Sequence, residues 1–140
     1  MIGFAGSLSK GLEIGDVVEP ALFIEQDYNA EPFEKFPNRI RRKGKRLLTE
    51  SVDGVMLTQD KFLKENPYLH SSQKGFKNLA CDMESYAVVH FCEKRNIRYA
   101  VAKIISDRAD STADHDFLKA CRELSPKLNR ITLELAKCRW

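Results

Sequence analysis

Two acidic residues stand where a protein could use them on a substrate. Asp107 ends the stretch Ile104-Ile-Ser-Asp107, behind an apolar run that reads as a buried strand. Ligands of open α/β sheets bind beyond the C-terminal ends of the strands. A carboxyl group held there, away from water, has its charged form disfavoured and can serve as a proton donor. The plainer alternative is that Ser106 and Asp107 only start a turn. Glu84 lies in Cys81-Asp-Met-Glu84, at the head of a helical pattern. An ionised carboxylate at such a site can accept both hydroxyls of a vicinal diol, as in ribose. Equally, Asp82 could be an N-cap with Glu84 in the first turn, where free amides and the helix dipole favour negative charge. A third stretch, Gly3-Phe-Ala-Gly6 followed by Gly15-Asp16, offers tight turns that either let a ligand approach the backbone or simply reverse the chain. Its spacing is neither the dinucleotide fingerprint nor a phosphate-binding P-loop.

Other polar groups carry less. Asp110, Asp114, His115 and Asp116 resemble metal ligands by composition only, and Ser111 with Asp114 fits a helix capping box, so no metal site is expected. His70, His90 and His115 fall into no catalytic spacing. The four cysteines, Cys81, Cys92, Cys121 and Cys138, are too widely spaced for a zinc knuckle or a dense disulfide framework. Cytosolic thiols, and hence a cytoplasmic setting, are the expectation.

The elements that must position these groups follow from patterning. Ile2–Gly6 reads as a strand entered midway, and Leu8–Gly15 as a turn region. Asp16-Val-Val and Ala21-Leu-Phe-Ile24 read as strand segments with an edge or bulge at Pro20. Val55–Thr58 is a short buried strand. Residues 27–38 form a loop bearing Tyr28, Phe33 and Phe36. Apolar residues at threes and fours predict a helix from Asp82 to Arg95, with Asn96 at its C-cap. The strand is then expected over Ile97–Ile105, its centre the apolar Tyr99-Ala-Val-Ala102. Phe117, Leu118, Cys121, Leu124, Leu128, Ile131 and Leu135 keep one apolar face, interrupted at Ser125-Pro126 by a kink or the start of a new helix.

Composition sets the outer limits. The 140 residues are 43% hydrophobic and 31% charged, which fits one globular domain spanning 1–140. No apolar run approaches membrane-spanning length, and Met1 opens no secretory pattern. The net charge of +3 rests on Arg39-Ile-Arg-Arg-Lys-Gly-Lys-Arg46; without that run, 17 basic residues face 20 acidic ones, a net charge of −3. The run reads as a solvated loop or helix start, a site for small phosphates or an acidic partner, or a nucleic-acid contact. Lacking interleaved aromatics or a recognition module, it does not point to nucleic acid.

Taken together, Gly3-Phe-Ala-Gly-Ser-Leu-Ser-Lys-Gly-Leu-Glu-Ile-Gly-Asp-Val-Val18, Asp82-Met-Glu-Ser-Tyr-Ala87 and Lys103-Ile-Ile-Ser-Asp-Arg-Ala-Asp110 resemble the purine nucleoside phosphorylase/nucleosidase superfamily, in particular its methylthioadenosine/S-adenosylhomocysteine nucleosidase branch. The resemblance covers nearly the whole chain and the later two thirds of the family domain. It implies an α/β fold, a layered central mixed β-sheet flanked by helices, without the family's first strands. It implies N-glycosidic hydrolysis of a purine nucleoside or 5′-thionucleoside, with no cofactor. Asp107 would protonate purine N7 and Ser106 would orient it. Met83 and Glu84 would hold the sugar, Glu84 through the 2′- and 3′-hydroxyls. Ala5 and Gly6 would line the ribose and base region, Phe62 would stack on the purine, and the Leu63 backbone would face the purine edge. Lys103 fills a position that is often arginine in the family. The carboxylate that activates water in the hydrolytic branch belongs to the part of the domain preceding Gly3-Phe-Ala-Gly6. A homo-oligomer, a dimer or larger, is implied, which the aromatic loop could serve. The alternatives are a phosphate-dependent phosphorylase and a non-catalytic nucleoside-binding or interaction module.

Overall fold

The computed structural model describes residues 1–27, 38–65 and 76–138. Six strands, β1 (Ile2–Ser7), β2 (Val17–Glu25), β3 (Arg39–Arg41), β4 (Val52–Thr58), β5 (Leu79–Asp82) and β6 (Ala102–Asp107), form one mixed sheet. Three helices accompany them: α1 (Ser85–Lys94), α2 (Ala113–Glu123) and α3 (Ser125–Lys137). The strand order is β3-β2-β4-β5-β1-β6, and β6 also pairs with β2. Five strands therefore close into a ring, with β3 attached outside it. The aromatic loop lies outside the described residues, as does His70.

β2 is the strand on which this closure turns. One edge runs parallel to β4 from Val18 to Glu25, while the other is divided between two antiparallel partners. Val17 and Val18 face Ile104 and Lys103 of β6, and Leu22–Ile24 face β3. On one edge Pro20 lies between the two antiparallel pairings; on the other it faces Gly54 of β4, and the register with β4 shifts between Pro20 and Leu22. The bulge expected from sequence is thus the point where β2 changes partners.

The apolar faces account for the layers. α1 lays Tyr86 and Val89 on a core of Phe23, Met56, Ala80, Val101 and Ile105. α3 places Ile131 and Leu135 against Val17, Ala102 and Ile104. Ser125-Pro126 begins α3 as a separate helix with proline in its first turn.

Several local expectations need correction. α1 begins at Ser85 because Asp82 stays in β5. Its carboxylate accepts the Ser85 amide at 3.1 Å and the Thr58 hydroxyl at 2.8 Å, so it caps the helix from within the strand. The following strand begins at Ala102, five residues later than patterning indicates. α1 ends in a Schellman turn with Arg95, not Asn96, as the C-cap: Asn96 adopts φ 53°, Ile97 N–H bonds Cys92 O at 2.9 Å and Asn96 N–H bonds Glu93 O, and the chain then runs to β6. The Ser111/Asp114 capping box does not form. Thr112 is the N-cap residue, and its hydroxyl bonds Asp110 and Asp116 instead.

The basic run has its own counterions. Arg39–Arg41 form β3, Arg42 bonds Asp53 at 2.6 Å and the Glu19 carbonyl at 2.9 Å, and Lys43 pairs with Glu93.

Candidate active site

Strands β4 and β6, with β1 and β5, end around a cavity of about 510 Å³. That volume falls within the range that encloses small organic ligands. The eight residues that the family resemblance assigns to the site all line it: Ala5 and Gly6 near the end of β1, Phe62 and Leu63 after β4, Met83 and Glu84 after β5, and Ser106 and Asp107 at the end of β6. Residues up to 102 positions apart in the chain meet because these strand ends share one rim.

Asp107 is buried at the floor. Ser106 Oγ donates to its Oδ2 at 2.7 Å, and the Ala109 amide donates to Oδ1 at 2.9 Å. Burial raises the carboxyl's pKa above the ordinary aspartate value; the two hydrogen bonds oppose that shift, while nearby Asp116 and Asp110 reinforce it. The raised value means that desolvation outweighs the stabilisation of the anion. Ala109 supplies its amide from φ 47°, a left-handed conformation rarely taken by alanine, and one that turns the chain back on the carboxylate. Ser106 Oγ also lies 3.2 Å from the Ala5 carbonyl, which ties the Asp107 orientation to β1.

Gly6 is required by this packing. A Cβ there would lie 2.8 Å from Asp107 Oδ1 and 3.2 Å from Cys81 Sγ. At Gly6 the group that approaches the backbone is the Asp107 carboxylate, which neither of the two meanings open for the glycine stretch names. The Cys81 thiol on the same wall is pushed up to about 12 by burial, with the Asp107 and Asp82 charges adding to the effect. It stays protonated and is a poor nucleophile.

Glu84 occupies the N-cap position of α1 but makes no side-chain cap bond. Its side chain is 60% exposed, and Oε2 lies 3.4 Å from Lys103 Nζ. Lys103 is itself 2% exposed and pairs with Asp82 at 2.8 Å. Phe62, 40% exposed, meets Phe117 edge-on at 5.9 Å, and Phe117 meets Phe4 edge-on at 6.2 Å. These three rings and Leu118 give the cavity an apolar lining beside its carboxylates.

Several lining residues escape a reading by sequence. Gln59 follows the end of β4, and its Nε2 donates to Lys61 O at 2.7 Å, shaping the turn that presents Phe62. Its place just past a strand end is the same signal that marks Asp107. Phe117 belongs to the apolar periodicity of α2, which does not distinguish a cavity wall from a core contact. Asp114, which pairs with Lys64 at 2.5 Å, joins α2 to the Phe62 segment across the same cavity. Among the described residues, no cluster of three or more His, Cys, Asp or Glu side chains is placed to hold a metal ion.

Comparison with known proteins defines the class. The family model described as "Phosphorylase superfamily" matches residues 1–137, and the chain belongs to that superfamily. Within it, the chain is 28% identical to a 5′-methylthioadenosine/S-adenosylhomocysteine nucleosidase of Buchnera aphidicola, over 91% of this chain and 63% of the relative. The structure resembles that of the Neisseria meningitidis 5′-methylthioadenosine/S-adenosylhomocysteine nucleosidase in complex with methylthio-immucillin-A, with TM-score 0.81, 25% identity, and coverage of 97% of this chain and 68% of the other. It also shares the fold of Helicobacter pylori futalosine hydrolase, with TM-score 0.83, 22% identity, and coverage of 96% and 65%. The chain thus spans a little under two thirds of the length of the curated relative.

Proposed function

We propose that the cavity binds a purine nucleoside or 5′-thionucleoside and that the protein hydrolyses its N-glycosidic bond, releasing free base and sugar. The supporting observation is the convergence of a buried aspartate of raised pKa and an exposed glutamate on one cavity with an aromatic wall. The relatives named as nucleosidases point to the same chemistry.

Each role follows from placement. As the C1′–N9 bond breaks, its electron pair goes to the base and positive charge develops on the ribose. Asp107, whose protonated form is favoured by burial, gives its proton to N7 and relieves the negative charge on the leaving base. Ser106 and the Ala109 amide fix the carboxyl's orientation. Glu84 accepts the 2′- and 3′-hydroxyls and favours the cationic sugar, with Met83 beside it. Ala5 and Gly6 line the ribose and base region, Phe62 stacks on the purine, and the Leu63 backbone faces its edge. Water supplies the hydroxyl that adds to C1′, and the proton this water releases restores the acid.

A homo-oligomer and a cytoplasmic setting complete this reading; free cysteines throughout fit a reducing compartment. The decisive experiment is product analysis with methylthioadenosine in the presence and absence of inorganic phosphate. The expected products are free adenine and a sugar without phosphate, at a rate independent of phosphate. Phosphate-dependent release of a sugar 1-phosphate would make the protein a phosphorylase. Binding without turnover, with equal affinity for substrate and a cationic ribose mimic, would make it a binding module.

A further inference from the structure

Lys103 is the most deeply buried cation near the cavity, and the chemistry proposed above gives it no task. Its ammonium group stands between two carboxylates at unequal distances, 2.8 Å from Asp82 Oδ2 and 3.4 Å from Glu84 Oε2. Asp82 is committed elsewhere on every side: Thr58 Oγ1 donates to it at 2.8 Å, and both the Ser85 amide and the Ser85 hydroxyl donate as well. Thr58 Oγ1 in turn accepts the Tyr86 amide at 2.9 Å, so β4, β5, β6 and α1 all hold this one group. A carboxylate accommodates about four such bonds, and Asp82 has filled its capacity before any ligand arrives.

From this we propose that Asp82 and Lys103 form a positioning unit for Glu84. Asp82 neutralises most of the buried ammonium charge, so that Lys103 steadies Glu84 without consuming it in a full salt bridge. The three groups together carry one formal net negative charge; Asp82 and Glu84 both line the cavity, but the Asp82 side chain is buried and spent on its four bonds, whereas Glu84 is 60% exposed. Were Lys103 paired with Glu84 alone, the carboxylate would be pulled inward and its lone pairs spent on the lysine. Were Lys103 absent, Asp82 would be a buried unpaired anion and Glu84 would swing freely in solvent. Neither residue is assigned a contact with the substrate; both act through Glu84.

This inference rests on the reading of Glu84 as the diol acceptor, so its test includes a variant that probes that reading separately. The ligands are a C-nucleoside of adenine type, whose carbon-linked base cannot be cleaved, and its 2′-deoxy counterpart, titrated calorimetrically into the full chain. The readout is the affinity ratio between the two, which a general loss of folding or of base binding would not change selectively. E84Q should lower the ratio roughly 10-fold, the usual worth of a charge-assisted hydrogen bond. The double variant D82N/K103M, which removes both buried charges together, should melt within a few degrees of the wild type and lower the ratio by a similar factor. K103R should keep it within about twofold. D82N alone, which leaves the ammonium to Glu84, should also lower it, and this variant carries the test if the double one does not fold. An unchanged ratio in D82N/K103M or in D82N, with E84Q impaired, would overturn the positioning unit. An unchanged ratio in E84Q would overturn the diol reading itself, and this inference with it.

Discussion

As the proposed acid, Asp107 faces two opposed demands: its protonated form must be favoured and yet it must hold one orientation. Burial meets the first by raising its pKa; the Ser106 hydroxyl and the Ala109 amide meet the second, although each favours the anion. D107N preserves shape but has no acidic proton to give, and its amide can accept only one of the two hydrogen bonds that Ser106 and Ala109 donate to the carboxylate. Its turnover is expected to fall roughly 10²–10⁴-fold, with KM little changed, as single-turnover release of base would reveal. Wild-type rates in D107N would remove Asp107 from the role of acid. The same carboxyl predicts an alkaline limb in the rate profile, because activity is lost as pH rises through its raised pKa. D107N should lack that limb in whatever activity remains.

At the scale of elements, the site depends on strands ending in register. Gly54 of β4 shows how little slack there is: a Cβ there would lie 2.5 Å from the Asn78 carbonyl and 2.7 Å from Val18 Cγ1. Val55 N–H bonds that same carbonyl at 3.1 Å, so relief of the clash must move β5 away from β4. Gly54→Ala is therefore expected to lower stability by about 1–3 kcal/mol, the usual cost of overpacking, as urea melts would measure. It should also reduce activity, since β4 and β5 carry Gln59 and Asp82 to the rim. A neutral Gly54→Ala would mean that the ladder between these strands is looser than drawn. Sequence patterning placed β4 and the Pro20 bulge correctly, and the end of α1 within one residue, because each depends on short-range chemistry. It placed the start of α1 three residues early and the start of β6 five residues early. Asp82 is drawn into β5 by Thr58 and Lys103, partners distant in the chain, whereas β6 starts late because the chain first leaves α1 through the local Schellman turn ending at Ile97.

For the molecule as a whole, stability and chemistry pull against each other at Asp107. A carboxyl whose pKa is higher folded than unfolded contributes stability below its ordinary value near 3.8, and loses that contribution as pH rises through the folded value. At neutral pH the fold thus carries a group it would prefer neutral. D107N should melt above the wild type at pH 7–8, and the advantage should shrink as pH falls toward 4, in thermal melts across that range. A difference independent of pH would place its origin in packing. The residue types narrowed which groups could act: an acid at a strand end, a carboxylate at a helix head and a glycine-bearing turn stood out along the chain, each beside a plainer structural reading. Their union was not legible. The strand ends meet at one rim because β4, β5, β1 and β6, far apart in sequence, are consecutive neighbours in the sheet, and only then do Phe117, Gln59 and the buried Lys103 acquire a place beside them. Local sequence encodes conformational preference and charge over a few residues, whereas the dielectric around Asp107 and the neighbours of Glu84 are set by segments up to a hundred positions away.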